Sequence, residues 1–389
     1  MSPERPAPVL AEARPAETAR ILIVDDEPGI QRAAQRILER RHRVTLASSG
    51  AQALEILETK PQDLAIVDVR MPGMTGFEVL KSIKSRHPDT EVIIMTGSVS
   101  NPDEKLVESL RERAFYFIRK PFEKPVLETL VERCLERQRL ERENRAYTRT
   151  LEEDLERARA FQRLLLPGWF PRLPGLRGDV WYRPSERLGG DFYDFFTLGS
   201  TAIGVVLADV AGHGVMAALY TGMLKAEMRA VQEDWRDLRR LFRRVNERLL
   251  PLARNQFTTA VLAVLDLASR EVRYVSAGHP SILDDEGRAW ESTGPPLGIL
   301  PGVDFEVRSF PLGSRRRLLF HTDGITEARS VGGAEFGDER LRRVFAASLT
   351  TPPDAALAAL VHGVEEFSQG RALEDDATAI LLEYSAETP

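Results

Sequence analysis

From Arg20 to Ile118 short apolar runs alternate with amphipathic stretches, and that alternation leaves few folds open to this chain. Ile21-Leu-Ile-Val24, Val44–Ala47, Leu64-Ala-Ile-Val67, Val92-Ile-Ile-Met95 and Phe115–Ile118 read as strands. Gly29–Arg40, Ala51–Glu58, Gly76–Ser85 and Asp103–Arg113 lie between them and read as helices. Strands joined through helices run parallel, and the helices cover both faces of the sheet. The prediction is a five-stranded doubly wound parallel sheet. Its ligand chemistry should gather beyond the C-terminal ends of the strands.

Four features fall at that edge. Asp25 and Asp26 follow the first strand, Asp68 the third, Thr96 the fourth, and Lys120-Pro121 the fifth. Clustered carboxylates repel unless a cation sits among them. A Mg²⁺ ion would neutralise them and orient a phosphoryl group. Asp68 would then be the nucleophile that forms an acyl phosphate. Thr96 would donate to the new phosphoryl oxygens and Lys120 would pair with them. Helix capping is the plainer reading of these carboxylates. The Asp-Asp-Glu, Asp-x-x-Met-Pro-Gly-x-x-Gly, Met-Thr-Gly and Lys-Pro-Phe motifs, in that order, resemble the flavodoxin-like receiver domain of two-component response regulators. The resemblance implies phosphorylation of Asp68 by a sensor histidine kinase. It implies Mg²⁺ held by Asp26, Asp68 and the Arg70 carbonyl with Asp25 assisting, and Phe117 as the switch aromatic that follows Thr96 inward. Arg113-Ala114 stands where the family often has Gly-Ala.

After Pro125, Gly and Pro nearly vanish as far as Leu166. Leu140, Tyr147, Leu151, Ala158, Phe161 and Leu165 fall near helical seam positions, interrupted by Asn144 and Asp154. A long helix is expected, as a solvated connector or as a homodimeric coiled coil. Pro167-Gly168 ends it. Beyond lie the strands Ala202–Ala208, Thr259–Leu265, Arg273–Ser276 and Arg317–Phe320, with helices near 215–231, 235–251, 338–347 and 354–368. Strands grouped in this way suggest an α+β sandwich. The expected divisions are a flexible tail over 1–17, a receiver over 18–138, a helical linker over 139–166 and a catalytic domain over 167–389.

The C-terminal half carries dispersed aspartates beside glycines: Gly-Gly-Asp191, Asp209-Val-Ala-Gly212-His213-Gly214, Asp323-Gly324 and Asp375-Asp376. Oxygen ligands at strand ends suit hard divalent cations. Two such ions about 3.5–4 Å apart polarise a phosphoryl group and supply hydroxide. Asp191, Asp209, Asp323 and Asp375 meet that need, Asp209 as the bridge, with the Val210 carbonyl as a further ligand. With Phe161-Gln162-x-x-Leu-Leu-Pro167, Ala277-Gly278-His279-Pro280, Pro296-Leu-Gly298, Thr322-Asp323-Gly324-Ile-Thr-Glu327 and Asp375-Asp376-x-Thr378, this half resembles the PPM phosphatases of the SpoIIE and RsbU subgroup. That likeness implies hydrolysis of protein phosphoserine or phosphothreonine with two Mn²⁺ or Mg²⁺ ions. It implies a phosphorylated STAS-type anti-sigma-factor antagonist as substrate, and Asp376 as a supporting residue. Arg183 is the nearby candidate for a phosphate-binding arginine. His213 and His279 read as loop residues rather than catalysts, Asp194 as a local pairing group, and Glu327 as a site neighbour or a helix start.

Composition removes other classes. Net charge is −6, so no basic footprint for nucleic acid exists, and no helix-turn-helix follows the receiver. Cys134 is the single cysteine, which rules out an intrachain disulfide and a thiolate metal site. No run reaches about 18 apolar residues and no apolar leader opens the chain, so no membrane contact and a cytoplasmic location are expected. An adaptor that has lost turnover is the competing reading. The intact carboxylates argue against it.

Overall fold

The structure, a computed structural model, describes residues 18–97, 116–212, 214–230, 235–252 and 256–386. The expected tail, the helix over 103–113, Phe115 and His213 lie outside the described residues. The chain divides into two compact units, Met1–Thr150 and Leu151–Pro389.

In the first unit the elements are β1 (Arg20–Val24), α1 (Pro28–Leu38), β2 (Arg43–Ala47), α2 (Gly50–Thr59), β3 (Leu64–Asp68), α3 (Gly76–Arg86), β4 (Glu91–Thr96), β5 (Tyr116–Arg119) and the start of α4 (Lys124–Leu165). The strands pair in parallel in the order β2-β1-β3-β4-β5. The central strands are apolar on both faces because both are covered. Leu22 and Val24 pack toward α2 and α3, whereas Ile21 and Ile23 pack toward α1 and α4. A capping box between Thr75 and Glu78 starts α3. Gly76 is required there, since a β-carbon would stand 2.1 Å from the Asp68 carbonyl oxygen.

Helix α4 has 42 residues, about 63 Å at ~1.5 Å per residue. Its first turns bury Leu127, Val131 and Cys134 against the receiver sheet. Gln138 then donates to the carbonyls of Asp63 and Asp89, and Arg145 pairs with Asp89 at 2.8 Å. Farther along, the seam residues Leu140, Tyr147, Leu151 and Phe161 are all exposed.

The second unit continues with β6 (Leu176–Arg183), β7 (Asp191–Thr197), β8 (Ala202–Val210), α5 (Val215–Ala230), α6 (Leu238–Leu249), β9 (Thr258–Asp266), β10 (Glu271–Ala277), β11 (Ile282–Asp284), β12 (Ala289–Trp290), β13 (Arg308–Pro311), β14 (Arg315–His321), α7 (Asp323–Thr326), α8 (Gly337–Ala347), α9 (Pro353–Ser368) and β15 (Ala377–Ser385). Two five-stranded antiparallel sheets form, β13-β10-β9-β8-β7 and β12-β11-β14-β15-β6. Period-two alternation sorts the side chains. In β8, Ile203, Val205 and Leu207 face the opposing sheet, where they meet Leu318, Phe320, Ile380 and Leu382. Val206 and Ala208 face outward under α5 and α6. On the far side Leu319, Ala379 and Leu381 pack under α8 and α9. Helices thus cover both outer faces of a sheet sandwich, with three layers of apolar packing.

Candidate functional site

The acidic cluster of the first unit is compact. Asp25 and Asp26 directly follow β1 and Asp68 closes β3, with one oxygen of each lying within 4.8 Å of the others. Asp25 and Asp68 are buried and Asp26 is exposed. Lys120, just past β5, places Nζ 2.7 Å from Asp25 Oδ2 and 2.8 Å from Asp68 Oδ1. Burial works to lower the ammonium pKa, but the bonds to Asp25 and Asp68 outweigh it and hold Lys120 above its ordinary value. The Arg70 N–H donates to Asp68 Oδ2 at 3.2 Å. Thr96 ends β4, and its carbonyl accepts from the Lys120 N–H at 2.8 Å. Phe117, on β5, is 42% exposed. Three carboxylates against one ammonium make an all-oxygen donor set with excess negative charge, which suits a hard cation.

The carboxylates of the second unit come from both sheets. Asp191 opens β7 and Asp209 stands opposite it in β8, so both project from one face. Asp323 follows β14 and begins α7, and Asp375 precedes β15. Burial, with Asp323 and Asp375 next, pushes the Asp209 carboxyl up to about 8. Burial and then Asp209 drive the Asp191 carboxyl well above its usual range, against hydrogen bonds from Thr378 and Thr322. Asp191 is 1% exposed, and its Oδ1 is buried with no partner. A buried orphan oxygen and mutually repelling carboxylates are what a cation site looks like from the protein side. Hard divalent ions fit this donor set. Among the described residues only the receiver trio is close enough to grip one ion together as it stands.

Glycine keeps these loops tight. A β-carbon on Gly324 would stand 2.0 Å from the Asp376 carbonyl oxygen. One on Gly190 would stand 2.7 Å from the Val210 carbonyl oxygen. Asp376 lies close enough to raise both Asp191 and Asp209, and it also grips the loop backbone. Its Oδ1 accepts from the Ser185 N–H at 2.7 Å and its Oδ2 from the Gly190 N–H. Glu327 is exposed, and its carboxyl is raised by burial and then by Asp323. Arg183 is exposed and pairs with Glu365 at 3.0 Å. His279 is buried; burial pushes its ring down to about 3, and Nδ1 bonds Thr259 Oγ1 at 2.8 Å. Asp194 is buried and pairs with Arg229 at 3.0 Å and Lys225 at 3.5 Å.

Sequence motifs contained other contributors without revealing their partners. Gln162 is 6% exposed; its amide donates to the Gly189 carbonyl at 2.6 Å and accepts from the Gly189 N–H at 3.2 Å. It also reaches Thr221 Oγ1 at 3.3 Å. Lys225 donates to the Leu165 carbonyl. The last turn of α4 is thereby fastened to the loop before Asp191 and to α5.

Residues 21–132 match the response regulator receiver domain, and residues 199–385 match the stage II sporulation protein E family. Protein IcfG of Synechocystis is 28% identical over 51% of this chain and 36% of its own length. The phosphoserine phosphatase RsbP of Bacillus subtilis is 31% identical over 38% of this chain and 39% of its own. The chain therefore spans less than half the length of these curated relatives. The SiaA-PP2C domain of Pseudomonas aeruginosa shares the fold, with a TM-score of 0.54 and 20% identity over 62% of this chain and 98% of that one. No described helix is long and apolar enough to cross a membrane. The chain thus carries a response regulator receiver domain over residues 21–132 and a SpoIIE-type PPM domain over residues 199–385.

Proposed function

We propose that this chain is a metal-dependent phosphoserine/phosphothreonine protein phosphatase governed by phosphorylation of Asp68 by a histidine kinase. The pairing of Asp191 with Asp209 on adjacent strands, with Asp323 and Asp375 near enough to push the Asp209 carboxyl up, carries the reading. The match to the phosphoserine phosphatase RsbP supports phosphoserine as the substrate group, and the resemblance to the SpoIIE and RsbU subgroup implies a STAS-type anti-sigma-factor antagonist as its bearer. Asp209, as the shared ligand, with Asp191, Asp323, Asp375 and the Val210 carbonyl would hold the two ions. Asp376 holds the Ser185 and Gly190 backbone around them. Bound Mn²⁺ or Mg²⁺ supplies charge neutralisation at the phosphoryl group and an acidified water.

In the receiver, Asp25, Asp26, Asp68 and the Arg70 carbonyl would hold Mg²⁺. An Asp68 oxygen attacks the phosphorus of a phosphohistidine, and the P–N bond breaks as the imidazole leaves. The Thr96 hydroxyl donates to the transferred group and Lys120 exchanges part of its pairing with Asp68 for the new oxygens. Phe117 then turns inward with Thr96. The output acts on the segment Phe161–Leu166, where Gln162 grips Gly189. The exposed seam of Leu140, Tyr147, Leu151 and Phe161 supports a homodimeric coiled coil. The domain limits of 18–138, 139–166 and 167–389 and a cytoplasmic setting complete the proposal.

The test is phosphate release from p-nitrophenyl phosphate and from a phosphorylated STAS protein with Mn²⁺, with and without beryllofluoride. Metal-dependent turnover lost in Asp209→Asn and altered by beryllofluoride supports the whole scheme. Turnover indifferent to beryllofluoride removes receiver control. No turnover on either substrate rejects the enzyme reading.

A further inference from the structure

Asp191 is fastened across the sandwich by residues with no acid–base chemistry of their own. It belongs to the β7 sheet, yet its Oδ2 accepts from two hydroxyls of the other sheet: Thr322 Oγ1 at 2.8 Å and Thr378 Oγ1 at 2.5 Å. Both threonines are fully buried. Thr322 follows β14 and Thr378 lies in β15, and the two are locked together. The Thr322 N–H donates to the Thr378 carbonyl at 3.0 Å, and the Thr378 N–H donates to Thr322 Oγ1 at 2.9 Å. Thr322 Oγ1 accepts that N–H and gives its own proton to Asp191, the other acceptor within reach, the Asp376 carbonyl, being farther off at 3.5 Å. The two hydroxyls occupy Oδ2 from one side, and Oδ1 remains buried without a partner.

We infer that Thr322 and Thr378 are positioning residues that fix the Asp191 carboxylate through Oδ2 and leave its Oδ1 free for the divalent-metal site. The inference rests on the metal-dependent reading above. Two hydroxyl donors on one carboxylate oxygen remove the side-chain rotation that an unanchored aspartate would lose on binding a cation. Outer partners of this kind are worth about 10–100-fold in metal affinity. Valine matches threonine in shape and lacks the hydroxyl, and serine keeps the hydroxyl in a smaller side chain.

The test is calorimetric titration of Mn²⁺ into the full chain, in an Asp26→Asn background that silences the receiver site. Thr322→Val/Thr378→Val should weaken Mn²⁺ binding about 10–100-fold, and Thr322→Ser/Thr378→Ser should restore most of it. Should the double valine variant not fold, Thr378→Val and Thr378→Ser are compared in its place, with the same expectation. Valine variants that bind Mn²⁺ as tightly as the parent overturn the inference. So do serine variants that bind as weakly as the valine ones, because packing and not the hydroxyl would then be what matters. A parent that binds no Mn²⁺ outside the receiver overturns the metal-dependent reading itself.

Discussion

Raising the pH should tighten metal binding by the second unit and, without metal, loosen its fold. The Asp209 carboxyl sits at about 8, so at neutral pH it keeps its proton until a cation displaces it. One displaced proton makes affinity rise about tenfold per pH unit below 8 and level off above. Asp191 is also driven well above its usual range, and a second displaced proton would steepen the rise to about a hundredfold per unit. The stability effect has the opposite sign. Between about pH 4 and 8 the unfolded chain has released the Asp209 proton and the folded chain has not. Folded protein then binds more protons, so metal-free stability falls by about 1.4 kcal/mol per pH unit for each such group. Titrating Mn²⁺ at pH 6.5 and 7.5, in buffers of different ionisation enthalpy, measures both affinity and proton release in the Asp26→Asn background. Equal affinity at the two pH values, or equal heats in the two buffers, would refute the placement of these carboxylates together.

Three further outcomes are expected. Gln162→Leu leaves the buried Gly189 N–H and C=O without partners, at about 1–3 kcal/mol each. All four tryptophans, Trp169, Trp181, Trp235 and Trp290, lie in the second unit, so urea unfolding followed by tryptophan fluorescence reads this loss directly. Gly324→Ala drives a β-carbon to 2.0 Å from the Asp376 carbonyl oxygen, so α7 must shift and carry Asp323 with it; Mn²⁺ affinity should drop at least about tenfold, by the measure of disturbed ligand support. Cys134 is buried and its thiol is pushed by burial up to about 12, so iodoacetamide at pH 8 should label it only after unfolding, as mass spectrometry would show.

The receiver was readable because its information is local. Buried parallel strands are uniform apolar runs, and each chemical residue sits within a residue or two of a strand end. Asp68 can be placed from Leu64–Val67 alone. The sandwich was readable only in outline. Its inner strands β8 and β9 are apolar on both faces, since sheet lies on one side and helices on the other. Strand β7 breaks that pattern with Asp191 and Asp194, both buried, and so reads as a motif rather than as a strand. The short strands β11 and β12 form a hairpin held partly by the Asp284 carboxylate, which accepts from the Trp290 indole at 3.1 Å. Nothing in the period of the sequence signals such a hairpin.

What local reading cannot supply is the partner of a polar side chain. Asp191 finds its hydroxyls 131 and 187 residues away, and Gln162 finds Gly189 only once α4 has met the loop. These long-range bonds decide what the carboxylates can do. Four acidic groups brought together from two sheets repel one another, so the backbone that carries them must be held from outside. Asp376 holds Gly190, the threonines hold Asp191, and Gln162 holds Gly189. The first two anchors belong to the sandwich itself. Gln162 alone among these three anchors comes from the last turn of a helix whose other end packs in the receiver core. A change in the last turn of that helix would reach the loop before Asp191 through Gln162 without touching a carboxylate. If control runs this way, Gln162→Leu should weaken Mn²⁺ binding and abolish the response to beryllofluoride together. A variant that binds Mn²⁺ normally and still responds would place the lever elsewhere.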